Sequence, residues 1–155
     1  MINFSILNID QNEMPFGFGF HPYFKFNKII DHLYLKLGKV IKYELNENKI
    51  PTGEYSLFKE FINYKKINSN IFDSPFKTKY NKLILSLYDK ENRIKINIQE
   101  NGNNLKYFQI YTPPHRNFIA LEPMSCNIDV FNNRDGLKTL KPNESFNISI
   151  MINFE

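Results

Sequence analysis

A histidine and a glutamate stand out in this sequence because each lies where a chain can hold a proton-transfer group. His21 ends the run Met14-Pro-Phe-Gly-Phe-Gly-Phe20, and Pro22 follows it directly. Glycines within the run permit close approaches of the backbone, and the aromatic rings form flat apolar walls that suit a ring-shaped ligand. An imidazole there can give or take a proton near neutral pH. A core strand whose histidine is simply hydrogen-bonded is the alternative.

Glu122 is the second candidate because it interrupts apolar surroundings. It follows Phe118-Ile-Ala-Leu121 and precedes Pro123, which predicts a carboxylate at the end of a strand. Partial burial would raise its pKa toward the range that is useful to a general base. An exposed strand terminus, where acids are common, is the alternative.

The remaining titratable groups offer less chemistry. His32 is expected to be a solvated surface imidazole, whereas His115 lies in a loop that is a candidate for the rim of a ligand site. Cys126 is the only cysteine, which excludes an internal disulfide and a cysteine-based zinc site. The histidines lack partners at ligand spacing, and the glycine-rich run lacks the helix and Lys-Ser/Thr of a phosphate loop. We therefore expect neither a metal nor a cofactor.

Strands must position these residues, because apolar residues recur at every second position. Residues 146–154 alternate in this way, and so do residues 94–98, which a polar turn at 89–92 separates from the apolar run 82–88. The last two runs are expected to pair as a hairpin. Further strands are predicted at 2–7, 33–37, 40–45, 107–111 and 118–121, turns at 46–48, 51–53, 101–103 and 113–114, and one short helix at 56–64.

The number and spacing of these strands predict an all-β chain, an antiparallel β-sandwich or barrel in one domain over residues 1–155. The 42% hydrophobic and 15% aromatic content fits a packed core. The formal charge of +4 is spread along the chain, so nucleic acid is not an expected partner. No apolar run is long enough for a membrane helix and the first residues lack a secretory signal, so the cytoplasm is the expected location.

Several segments, taken in order, resemble the aldose 1-epimerase (galactose mutarotase-like) family. The more specific ones are the His-Pro-Tyr-Phe motif preceded by glycine and the Leu-Glu-Pro motif followed by Asp-x-Phe-Asn. The segments are Pro15–Phe24, Ile50–Glu54, Ile71–Phe76, Gln109–Pro113, Leu121–Met124, Asp129–Asn132 and Leu140–Glu144.

The resemblance implies an isomerase that interconverts the α and β anomers of an aldose, a hexose, by opening and closing its ring. It implies that His21 is the general acid on the ring oxygen, that Glu122 is the general base on the anomeric hydroxyl, and that Asp73 binds sugar hydroxyls. A non-catalytic carbohydrate-binding or truncated relic domain is the alternative function.

The resemblance also implies that the chain corresponds to the second half of the family's β-sandwich. The first half contributes an arginine and another histidine to the sugar site in the family, so weak or no activity is expected from this chain alone. A half-sandwich leaves sheet edges and apolar surface uncovered. We therefore expect a homodimer or a complex with an amino-terminal half.

Overall fold

Alternating apolar and polar residues form strands along most of the chain. The computed structural model describes residues 1–100 and 102–155, and the helical segments in these ranges are a 3₁₀ turn at Ile30–His32 and the short helix α1 at Val130–Asn133. The strands are β1 (Ile2–Leu7), β2 (Met14–Phe16), β3 (Tyr23–Lys25), β4 (Tyr34–Lys36), β5 (Val40–Leu45), β6 (Pro51–Phe58), β7 (Lys65–Lys66), β8 (Asp73–Thr78), β9 (Ile84–Asp89), β10 (Ile94–Glu100), β11 (Tyr107–Tyr111), β12 (Phe118–Met124), β13 (Lys138–Leu140) and β14 (Ser145–Phe154).

The strands form two six-stranded sheets and one two-stranded ribbon. The first sheet has the order β1-β14-β10-β9-β4-β7, the second sheet has the order β3-β12-β11-β8-β5-β6, and β13 pairs with β2 in the ribbon. Neighbouring strands run antiparallel, including the hairpin of β9 and β10, in which Ile94 pairs with Asp89. The predicted all-β antiparallel sandwich is confirmed.

Apolar side chains from the facing surfaces of the two sheets form the core. Ile98 and Ile150 come from the first sheet, Phe76 and Phe108 come from the second, and all four side chains are fully buried. The rings of Phe76 and Phe108 stack with centroids 5.2 Å apart. Burial of each such side chain contributes roughly 1.5–3 kcal/mol to folding. Because the core-facing side chains occupy one surface of the second sheet, its opposite surface can carry polar groups.

Two predictions about the segment after residue 50 are wrong. Residues 51–53 belong to strand β6 rather than a turn, and residues 56–64 form the end of β6 followed by turns and bends rather than a helix. The cause is that β6 is an edge strand, exposed along almost its whole length. A strand with both surfaces in water needs no alternation of apolar residues, so the pattern that identifies β10 and β14 is missing.

Two residues that the alternation predicts to face the core are exposed. Phe154 is 71% exposed and Ile94 is 42% exposed, because Phe154 is the last residue of β14 and Ile94 lies next to the hairpin turn. The predicted turn at 101–103 includes Asn101, which lies outside the described residues. None of the described helical segments has the length and apolar character required to cross a membrane.

Candidate active site

The outer surface of the second sheet brings the candidate residues together. On β12, Ile119 and Leu121 point into the core, so Glu122 points to the opposite surface. Gln109 on β11 pairs with Glu122, and Tyr111 on the same strand pairs with Asp73 of β8. Adjacent strands are about 4.8 Å apart, so these side chains form one continuous polar patch.

Strand β12 differs from its prediction because it does not end at Glu122. It continues through Pro123 to Met124, and the side chain of Glu122 is buried rather than at an exposed terminus. Backbone hydrogen bonds attach the glycine-rich run to this strand, with Phe20 N donating to the carbonyl of Pro123 at 3.1 Å. Phe18 N donates to Ser125 Oγ at 2.9 Å. These contacts carry His21 to the position beside Glu122.

His21 and Glu122 form a close pair, with His21 Nε2 3.3 Å from Glu122 Oε1. The glutamate side chain is 9% exposed and that of the histidine 53%. Oε1 of Glu122 has no hydrogen-bond partner among the described residues, because the contact with His21 lacks hydrogen-bond geometry. Burial raises the pKa of Glu122, the nearby His21 opposes that shift, and the charge of Asp73 adds to it.

The imidazole of His21 is supported by an aromatic ring. It stacks on Tyr23 with centroids 4.9 Å apart and 24° between the ring planes. Tyr23 in turn meets the edge of Phe118 at 5.2 Å, and Phe118 meets His115 at 4.5 Å. His115 therefore lies at the far end of a row of rings that begins at His21, whereas the exposed His32 lies in the 3₁₀ turn.

Asp73 is held by two neighbours on the same polar patch. Gln109 Nε2 donates to Oδ1 at 3.3 Å, and Lys49 Nζ lies 3.0 Å from Oδ2. Lys49 comes from the turn between β5 and β6 and has a φ of 62°. Asp73 is thus close enough to raise the pKa of Glu122, but it is not in the His21 pair.

A protein family matches nearly the whole chain. The family model for aldose 1-epimerase matches residues 1–153. The chain belongs to the aldose 1-epimerase family. A comparison with the sequences of curated proteins gives no significant match.

Solved structures of similar fold share little sequence with this member of the aldose 1-epimerase family. A galactose mutarotase-like protein from Clostridium acetobutylicum has a TM-score of 0.83 at 22% identity, and the match covers 99% of this chain and 51% of that one. A putative aldose 1-epimerase from Escherichia coli K12 gives 0.81 at 20% identity, with 99% and 55% covered. The galactose mutarotase related enzyme from Lactobacillus acidophilus gives 0.79 at 18% identity, with 99% and 56% covered. These likenesses establish the fold, and the chain spans about half the length of the structures it matches.

Further polar residues lie near the site, and the sequence motifs gave them no role. Gln109 and Lys49 contact Asp73, and Asp135 anchors the segment after α1 to the sheet. Asp135 accepts hydrogen bonds from Tyr107 at 2.6 Å and from Tyr43 at 2.7 Å. The alternation of Gln109 with apolar neighbours in β11 was a usable signal, because it marks the outer surface of the sheet. Nothing local marked Lys49 or Asp135, since their partners are distant in sequence.

The chemistry available at this site in the aldose 1-epimerase family member is acid–base chemistry. A buried carboxylate with a raised pKa can accept a proton, and an adjacent imidazole can donate one. Within the described residues, no group of three His, Cys, Asp or Glu side chains is placed to hold a metal ion. Asp73 and Gln109 present oxygen and nitrogen atoms that can bind hydroxyl groups.

Proposed function

We propose that this chain carries the acid–base pair of an aldose 1-epimerase and interconverts the α and β anomers of a hexose. His21 acts as the general acid on the ring oxygen, and Glu122 acts as the general base on the anomeric hydroxyl. The observation that carries the proposal is the oxygen Oε1 of Glu122, which is buried and has no hydrogen-bond partner among the described residues, yet lies 3.3 Å from His21 Nε2. A buried polar atom without a partner is costly, and a substrate hydroxyl would supply the missing hydrogen bond.

The proposed reaction needs no covalent intermediate. Glu122 removes the proton of the anomeric hydroxyl while His21 protonates the ring oxygen, so the bond from C1 to the ring oxygen breaks and the open-chain aldehyde forms. Rotation about the C1–C2 bond exposes the other side of the carbonyl to the returning hydroxyl. Closure reverses both proton transfers. Each positioned proton-transfer group of this kind contributes roughly 10²–10⁴-fold to the rate.

Asp73 is proposed to bind sugar hydroxyls, with Gln109 beside it. The carboxylate can accept from a hydroxyl, and the Gln109 side-chain oxygen is a second acceptor while its nitrogen donates to Asp73. Lys49 is 65% exposed at its side chain, so a sugar can displace its ammonium from Asp73 at small cost. We further propose that the site works in an assembly, either a homodimer or a complex with an amino-terminal half, because the solved structures that match this fold are about twice as long.

Polarimetry on freshly dissolved α-glucose or α-galactose tests the proposed activity. We expect a weak acceleration that is proportional to protein concentration and that both Glu122→Gln and His21→Asn remove almost completely, because each change nearly preserves shape. His32→Asn is the matched control and should retain the rate, since His32 is exposed in the 3₁₀ turn. Retention of the rate in either site variant contradicts the assigned roles.

The alternative function is carbohydrate binding without catalysis. Asp73 and Gln109 are held together by their own hydrogen bond and do not depend on the His21 pair, so they could hold a sugar in a site that does no chemistry. Sugar binding without any acceleration of mutarotation, in the isolated chain and in its assembly, would favour this alternative.

A further inference from the structure

A concave region lies on the same surface of the second sheet as Glu122, and the proposed reaction does not use it. It is a cavity of about 550 Å³ between the β5–β6 hairpin, the end of β8 and the segment that contains α1. Small-molecule sites commonly fall between about 300 and 1,000 Å³. The residues that matter for its chemistry are Tyr43, Tyr55, Lys77, Lys79 and Asp135.

The cavity and the candidate active site share strand β8. Asp73 and Lys77 are on the same strand and both point away from the core, because Phe76 between them points into it. At about 3.3 Å per residue, their Cα atoms are roughly 13 Å apart. Glu122 lies two strands away from Pro75, which is two residues before Lys77, so the Cα atoms of Glu122 and Lys77 are roughly 12 Å apart. One pyranose ring cannot span this distance, whereas two linked sugar rings can.

An exposed aromatic ring forms part of the cavity wall. Tyr55 is 63% exposed, and its ring meets Tyr43 edge-on with centroids 6.0 Å apart. Tyr43 is itself fixed, because its hydroxyl donates to Asp135 Oδ2 at 2.7 Å. A flat ring held in this way offers a face on which the C–H groups of a pyranose can stack.

Some N–H groups in the cavity lack a hydrogen-bond partner among the described residues, whereas both carboxylate oxygens of Asp135 have one. Both oxygens of Asp135 are occupied, Oδ1 by Tyr107 and Lys77 and Oδ2 by Tyr43 and Asn127. Lys77 keeps further N–H groups, and Lys79 is exposed with no ion pair or side-chain hydrogen bond among the described residues. Two ammonium groups against one carboxylate leave the cavity with a net positive charge, which favours a ligand rich in acceptor oxygens.

We propose that this cavity is a second sugar subsite, which holds the next unit of a saccharide whose reducing-end ring lies at Glu122. Tyr55 is the stacking platform, and Lys77 and Lys79 donate to oxygen atoms of that unit, with a preference for a unit that bears a carboxylate. The inference rests on the proposed function for the position of the first ring. It assigns a substrate larger than a monosaccharide.

Direct binding tests the subsite independently of catalysis. We would titrate the ¹⁵N-labelled full chain, in its native assembly, with glucose, a 1,4-linked glucose disaccharide, and a disaccharide whose non-reducing unit is glucuronic acid. The disaccharides should shift the amide resonances of Gly53, Tyr55 and Lys77, and glucose should not. Tyr55→Ala should lower the affinity for both disaccharides by about tenfold and leave the affinity for glucose unchanged. Tyr55→Phe should bind nearly as well as the unchanged chain.

Leu57→Ala is the matched control, because Leu57 is on the same strand and 47% exposed but does not line the cavity. The subsite is overturned if glucose and both disaccharides bind with equal affinity. It is also overturned if Tyr55→Ala still binds the disaccharides more tightly than glucose. The role of the lysines is overturned if the acidic disaccharide binds no more tightly than the neutral one. It is also overturned if Lys79→Gln keeps the difference in affinity between the two disaccharides. Shifts at Gly53 and Tyr55 without any mutarotation would support the subsite while the proposed activity fails.

Discussion

Glu122 illustrates how a single side chain links stability to function at the residue scale. Its carboxylate is buried, its Oε1 has no hydrogen-bond partner among the described residues, and burial raises its pKa. Such a group stabilises the folded chain less than a paired one would, because the charged form loses water without full replacement. The same property makes it a better proton acceptor, so the burial that the proposed chemistry uses also lowers the stability of the folded chain.

Replacing Glu122 by glutamine should therefore stabilise the chain at neutral pH by about 1 kcal/mol. Because the folded-state pKa lies above the ordinary value of 4.5, the folded chain binds more protons than the unfolded chain between those two values. The free energy of unfolding of the unchanged chain should fall as pH rises through that window, relative to Glu122→Gln. Urea denaturation between pH 4 and 8 measures the difference.

The control for that series is Glu54→Gln, which removes a charge from an exposed position on β6. It should change stability little at any pH, since exposed charges contribute little. A Glu122→Gln variant that is less stable than the unchanged chain at neutral pH would show that the carboxylate has a partner, which would contradict the site geometry.

At this scale the sequence predicts residues that belong to motifs and misses residues that act through distant partners. The pairing of His21 with Glu122 is implied by the family resemblance that two short segments carry, and the rise in the pKa of Glu122 follows from its apolar neighbours. The partnership of Lys49 with Asp73 depends on how far the β5–β6 turn reaches over the sheet. No local pattern contains that distance, so the contact emerges only from the folded chain.

Two glycines with similar backbone angles show how an element constrains its neighbours. Gly136 follows the Asp135 anchor and has a φ of 89°, and Gly53 lies in the exposed strand β6 with a φ of 93°. A Cβ atom on Gly136 would lie 2.7 Å from the ring of Tyr107 and 2.9 Å from the Cα of Cys126. A Cβ atom on Gly53 would meet nothing within 4 Å.

Alanine at the two positions separates backbone strain from crowding. Gly53→Ala should cost about 1–2 kcal/mol, because only the left-handed backbone opposes it. Gly136→Ala should cost at least about 2 kcal/mol more, since a backbone atom and a ring that anchors Asp135 must both move. Thermal or urea denaturation measures both values. Equal losses would mean that the segment after α1 yields easily and that the Asp135 anchor is weak.

Element-scale prediction succeeds where apolar residues alternate regularly along a strand, and it misses β8, in which only Phe76 marks the core side. Strand β14 and the β9–β10 hairpin follow from their alternation, because each buries one surface against the second sheet. Strand β6 fails this test because it is exposed along almost its whole length. The exposure that hides β6 from sequence analysis is also what leaves Tyr55 open to a ligand.

Apolar residues are exposed along β1, and they affect how the whole molecule associates with another chain. Strand β1 is the edge of the first sheet, and Leu7 at its end is 53% exposed, followed by Ile9 at 85%. An open edge with apolar side chains is a template for pairing with another chain. We therefore propose that the assembly, with a second copy or with an amino-terminal half, forms through β1.

Sedimentation velocity at micromolar concentration should therefore show an associated species rather than a monomer. Leu7→Lys should weaken the association, because a lysine at the edge disfavours strand pairing. Ile71→Lys is the control, as Ile71 is 81% exposed but does not belong to β1. A monomer that binds no apolar dye, or equal effects of the two lysines, would contradict association through this edge.

The position of β14 between β1 and β10 has a consequence for how the chain acquires its structure during synthesis. Residues 2–7 pair with residues 145–150, so β1 leaves the ribosome well before the strand with which it pairs. Until then β1 is an unpaired apolar strand exposed to other nascent chains. Contacts between residues so far apart in sequence slow folding, because the whole intervening chain must be ordered to close them. The period of greatest exposure to aggregation is therefore the interval before residue 154 is made, when chaperones that shield extended apolar segments would matter most.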